Sequence, residues 1–200
     1  PITDDIQVTF SARRSYIDAV LAAVVPDGVL PFTVAPRYWD YQAKLDWRIN
    51  KMMDATVLLL GSSDTLKLIL ERPPAGFGDA NSEISTESGF HGAIAVLRMR
   101  GDDWKGNTTL GLVRTTANFN ILNALRFDVV SWQSSLRQDF VFGSGPIQIR
   151  TGLDLFVDPF DAEILLPPQA ADLGEGADAD AGKRQLARQA TGVQPAVWFD

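Results

Sequence analysis

A single histidine, His91, stands between Phe90 and Gly92 and limits the chemistry open to this chain. One imidazole cannot build a multi-histidine metal site, and a Ser-His-Asp relay would depend on it alone. No G-x-S-x-G elbow lies near it, so a structural role for His91 is the expectation. Carboxylates stand close together at Asp102 and Asp103, at Asp158 and Asp161, and at Asp178 and Asp180. Acid/base work on a glycosidic bond needs two carboxylates facing each other across a cleft, which spacing does not establish. Asp102 and Asp103 lie between Gly101 and Trp104 as in a polar hairpin turn. "DADAG" has the alternating acids of a calcium loop without the D-x-D-x-D-G register or the distal Glu. "GFGDAN" and "GSGP" are not phosphate cradles, and no G-x-x-x-x-G-K-[ST] is present. Asn107-Thr108-Thr109 is a sequon, a pattern too short to carry an argument. The sequence therefore predicts no catalytic residue, no cofactor and no metal.

Binding residues are better represented. Trp39, Trp47, Trp104, Trp132 and Trp198 could line a sugar platform, although packing in a core or an interface is the commoner use of tryptophan. The stretch from Gln169 onward has almost no large apolar residue until Val197, Trp198 and Phe199, the composition of an arm on a tether. Lys183, Arg184 and Arg188 fall within it, and a short helix would put Arg184 and Arg188 on one face. Arg and Trp are the usual anchors of protein interfaces, so these six residues are the candidate interface.

Net charge is −7, with 18 Lys and Arg against 25 Asp and Glu. Such a surface does not neutralise phosphates, though an acidic lumen would let DNA pass as cargo. The absence of cysteine removes disulfides, thiol nucleophiles and thiolate metal sites. "PITDDIQVTF" has no basic n-region, and the longest apolar run, "ATVLLLG", is far below the roughly 20 residues of a membrane helix. The expectation is a chain with no membrane contact, assembled in the cytoplasm.

The elements that position these residues read as follows. "SARRSYIDAVLAAVV" predicts a first helix with Ser11 as cap and Ile17, Val20, Leu21 and Val24 on one stripe. "VLPFTVAPRYW" predicts an irregular edge segment, and "DYQAKLDWRINKMM" either a short helix or a strand. "DATVLLLGSSDTLKLILERPP" reads as two strands meeting at Gly-Ser-Ser-Asp, followed by a long loop from Pro73 to Gly89. "FHGAIAVLRMRG" is a strand. "LGLVRTTANFNILNALRF" predicts a second helix through Leu112, Phe119, Leu122 and Leu125. Short β segments follow up to Pro167 and Pro168. The expected fold is α+β: residues 1–168 form one domain, a largely antiparallel or mixed sheet with two helices on one face. Residues 169–200 form an extended C-terminal arm.

This order resembles the tail-terminator and tail-completion proteins of tailed bacteriophages. The parallels are "SYIDAVLAAVV", "ATVLLLG", the long loop, "HGAIAVLRMRG", "LVRTTANFNILNALR" and "LDLFVDPFDAEI". The resemblance implies a non-enzymatic virion subunit forming a ring, commonly of six copies. Such a ring ends the tail tube and meets tube, sheath or neck proteins, with the arm stapling neighbours. Three alternatives stay open: another baseplate or neck protein, a carbohydrate-binding or hydrolytic domain using the tryptophans and Asp102-Asp103, and a monomeric adaptor docking its Trp-Phe terminus.

Overall fold

The computed structural model describes residues 1–17, 20, 32–34, 36–70, 83–122, 124–143, 146–166 and 184–199. They form one antiparallel sheet of nine strands: β1 (Ile6–Arg14), β2 (Phe32–Val34), β3 (Arg37–Asn50), β4 (Met53–Leu70), β5 (Glu83–Arg100), β6 (Trp104–Ile121), β7 (Leu125–Phe142), β8 (Ile149–Leu166) and β9 (Arg184–Phe199). The order β1-β3-β4-β5-β6-β7-β8-β9 makes it an up-and-down meander. Strand β2 extends β3 in the same register on β4, with Val34 opposite Leu68 and Arg37 opposite Thr65. Pro36 falls at the break, where a residue without an N–H cannot continue the ladder.

Most strands run 18 residues, about 60 Å when extended. The connections at the two ends differ. At the near end the strands are separated by 51–52, 101–103 and 143–148. Gly143 takes a φ of 100°, a backbone that favours glycine. At the far end β6 and β7 join through 122–124, while the intervals 15–36, 71–82 and 167–183 are longer.

The expected α+β fold with two helices on one face is not what forms. "LGLVRTTANFNILNALRF" is the body of β6, a tight turn and the start of β7. Ser11 to Arg14 close β1, and most of the remaining first-helix residues lie outside the described set. Ile17 and Val20 are helical, and the Val20 amide donates to the Tyr16 carbonyl at 3.0 Å. Gly61 to Asp64, expected as a turn, are mid-strand in β4. The alternative strand reading of "DYQAKLDWRINKMM" is the form that β3 takes. Residues 184–199, expected as part of a tethered arm, pair along β8 from Leu166↔Arg184 to Thr151↔Phe199.

Among the described residues Leu122 is the only buried hydrophobic side chain, and no large side chain is fully buried. A single layer cannot bury both its faces, so its apolar surface has to meet something else.

Candidate functional site

Residues paired across strands share a face, and successive residues alternate. Two rows, one residue apart, show how different the faces are in the near half. On face A, Val8, Leu45, Val57, Ala95, Leu110, Leu136, Leu155 and Pro195 lie in register across eight strands. On face B the neighbouring row is Gln7, Asp46, Thr56, Val96, Thr109, Arg137, Asp154 and Ala196. From Met53 to Leu59 on β4, and over the matching parts of the other strands, no side chain of face A is ionisable. The exposed apolar residues of this half crowd onto the same face: Phe10 at 69%, Leu110 at 52% and Val197 at 79% are among them. A shallow trough of about 410 Å³ lies there, floored by Val57, Ala93, Ala95, Leu110, Leu136 and Leu155.

Aromatic residues bound this belt at both ends. Near the turns, face A carries Trp104 and Phe142 as a cross-strand pair with Phe140 beside them; Phe199 lies two strands along in the Phe140 row, and Trp47 stands on β3 one row further in. The Phe140 ring lies 6.3 Å from Trp104 and 5.8 Å from Phe142. At mid-strand the bounding row is Tyr41, Gly61, His91, Arg114 and Trp132. Trp39 stacks on Tyr41 at 5.9 Å, Tyr41 and His91 share a hydrogen bond of 3.2 Å, and Arg114 lies over Trp132 at 5.8 Å. Gly61 makes this possible: a Cβ there would come within 2.6 Å of both His91 Nδ1 and the Tyr41 ring. The distance from Phe140 to Trp132 along β7 is eight residues, about 27 Å.

Face B behind the belt carries a ladder of charge. Lys44 reaches Asp46 at 2.7 Å; Thr56 donates to Asp46 at 2.9 Å and accepts from Arg98 at 3.1 Å. Arg100 pairs with Asp54 at 2.7 Å, Arg137 donates to Asp154, and the Ser131 hydroxyl donates to Asp158. Beyond the mid-strand row the polarity exchanges. Face B now holds Leu66, Thr86, Phe119, Phe127, Ile164 and Leu186, while face A holds Arg37, Thr65, Glu87, Asn118, Asp128 and Glu163.

The residues singled out from the sequence are dispersed. Lys183 lies outside the described residues. Arg184 opens β9 opposite Leu166, and Arg188 lies on face B of the same strand, opposite Ala162. Val197 and Phe199 are exposed on face A, whereas Trp198 points to face B over Gly152, where a Cβ would collide with its ring. Asp158 and Asp161 project from opposite faces of β8 and cannot share a cleft. Asp102 and Asp103 sit in the β5–β6 turn, and the Asp103 carbonyl accepts from the Gly143 amide at 2.7 Å. Asp178 and Asp180 lie outside the described residues. No cluster of three metal-ligating side chains occurs among the described residues. Sequence reasoning missed the belt, Tyr41 and Arg114. The available signal was parity, since Trp39, Tyr41 and Trp47 all fall on odd positions of β3.

No family model, curated protein or solved structure matches this chain. Among the described residues no helix is long and apolar enough to cross a membrane. That criterion concerns helices, and the belt is built from strands.

Proposed function

We propose that this sheet is wall of a transmembrane β-barrel of the outer-membrane type, with face A against lipid and face B toward a polar interior. One observation carries the reading: a face without ionisable groups from Met53 to Leu59 and the matching parts of the other strands, bounded by aromatic rows and backed by a ladder of ion pairs. Barrel strands cross a bilayer in about 9–11 residues at a tilt near 45°, with an apolar band of about 25 Å between aromatic girdles. At a tilt near 40°, the roughly 27 Å from Phe140 to Trp132 projects to about 21 Å, and adding Phe142 brings it to about 26 Å. Four of the five tryptophans, Trp39, Trp47, Trp104 and Trp132, lie on face A at or beside these rows.

The short turns at the near end and the longer intervals at the far end follow the usual asymmetry of such barrels, with tight turns on the inner side and long loops outside. Backbone groups in lipid have no water to bond, so the outer edges of β1 and β9 must be paired, with each other or with further strands. The role is a non-catalytic one: a membrane wall around a polar path. It reverses the expectation of no membrane, which applied the length of a helix to a strand protein. Of the pattern behind the phage-ring expectation, "ATVLLLG" and "HGAIAVLRMRG" are strands, "LVRTTANFNILNALR" is strand and turn where a helix was expected, and most of "SYIDAVLAAVV" lies outside the described residues.

The test uses the absence of cysteine. Single cysteines at positions 107 to 112, in full chain reconstituted in phospholipid vesicles, are treated with a membrane-impermeant, water-soluble thiol reagent. Thr109→Cys and Gly111→Cys should label through the polar interior, and Thr108→Cys, Leu110→Cys and Leu112→Cys should not. Uniform labelling, or a chain that stays monodisperse in buffer without lipid or detergent, would sink the proposal.

A further inference from the structure

We infer that the mid-strand row on face A is a binding site for the phosphate of an anionic lipid headgroup, held by Arg114 and His91 beside Tyr41, with the acyl chains lying in the trough below. The inference rests on the barrel-wall reading and adds a ligand class to it.

Three features converge. The cation is available: among the described residues Arg114 has a ring contact with Trp132 and no carboxylate partner. A guanidinium stacked on an aromatic ring keeps its planar fork of donors free for a phosphate. His91 is the direct cross-strand neighbour of Arg114 and is fixed by its hydrogen bond to the Tyr41 hydroxyl. The site therefore presents guanidinium, imidazole and phenol side by side. The Tyr41 and His91 rings close over Gly61, so these groups are held at the surface of the sheet, beside the Arg114 guanidinium.

The next row toward the near end is apolar on the same face: Leu59 below Gly61, Ala93 below His91 and Leu112 below Arg114. It leads into the 410 Å³ trough. A cationic, hydrogen-bonding cluster placed one row above an apolar trough has the shape of an amphiphile, and soluble anions need only the upper half. The acid nearest along β5 on this face, Glu87, is four residues beyond His91, away from the trough. At the boundary of the belt a headgroup phosphate would sit at the height of the aromatic row, where interfacial groups belong.

The experiment measures lipids retained by the full chain, extracted from vesicles of equal phosphatidylglycerol and phosphatidylcholine, by native mass spectrometry. The wild type should retain phosphatidylglycerol preferentially. Arg114→Gln should lower that preference about five- to tenfold, Arg114→Lys should restore part of it, and His91→Gln should weaken it less. Excess inorganic phosphate should leave retention unchanged. An unaltered preference in Arg114→Gln, or displacement by free phosphate, overturns the inference. Alternating cysteine labelling measured on the same samples separates the two readings. If alternation persists without lipid preference, the headgroup site alone fails; if alternation is lost in the wild type, the wall fails with it.

Discussion

The near and far halves of this sheet are made by the same strands and are opposite in polarity. In the near half Leu110 and Leu136 face one way with no charge around them, and Arg137 and Asp154 face the other. In the far half Phe119 and Phe127 occupy the second face, and Asn118 and Asp128 the first. Strands β4 to β9 change the parity of their apolar positions near the row of Tyr41, His91 and Trp132. Strand β4 runs Met53, Ala55, Val57 and Leu59 on odd positions, then Leu66, Leu68 and Leu70 on even ones. On the barrel-wall proposal, the exchange places the two halves in different solvents. An apolar exterior with a polar interior suits lipid; a polar exterior with an apolar interior suits water.

Charge placed in the belt is the strongest way to break that contrast. Leu110→Arg should cost about 2–4 kcal/mol of stability in vesicles, the range for a cation at the bilayer midplane, and Gln133→Arg on face B should cost under about 1 kcal/mol. Urea unfolding in vesicles compares them, and equal costs would mean that the faces are not distinguished by lipid. Truncation in the far half comes next. Phe119→Ala and Phe127→Ala should each cost about 1–2 kcal/mol, less than a fully buried phenylalanine because both rings are partly exposed. Asn118→Ala and Glu87→Ala on the other face should fall well below that in the same assay.

At the boundary, Gly61→Ala should cost on the order of 1 kcal/mol, because the new methyl must push the Tyr41 and His91 rings apart. Loss of the Tyr41–His91 coupling would appear in the imidazole resonances, and unchanged resonances would mean that the rings do not close over Gly61. Least of all, Arg137→Gln should leave the urea midpoint nearly unchanged, since its pair with Asp154 is largely exposed. A marked drop would mean that the ladder is shielded from water and that face B is not a wet interior.

The change of parity also explains what the sequence hid. A strand with one buried face shows apolar residues at even separations. Where the parity slips, odd separations enter: Leu112 to Phe119 is seven, and Phe119 to Leu122 and Leu122 to Leu125 are three each. Those intervals imitate a helical stripe, and they produced the expected second helix. Gly61-Ser62-Ser63-Asp64 imitated a turn for a related reason. They lie at the level where apolar side chains give way on both faces, and small polar residues suit that crossing. The strand "FHGAIAVLRMRG" was legible because it lies within a single regime for most of its length. Trp198 and Phe199 were expected as interface anchors; that Trp198 lies over Gly152 was not legible, because Gly152 stands 46 residues away.

By itself the sequence determined the absence of thiol chemistry, of a histidine metal site and of a phosphate cradle, since each depends only on residue types and short spacings. It also determined that most segments from residue 37 onward favour extended backbone, through their β-branched and aromatic content. Only the tertiary structure decided which face each residue occupies. Register is a long-range property, and a shift of one residue in any pairing would send every side chain of that strand to the other face. The uncharged belt and the ladder behind it exist only once eight strands agree on that register.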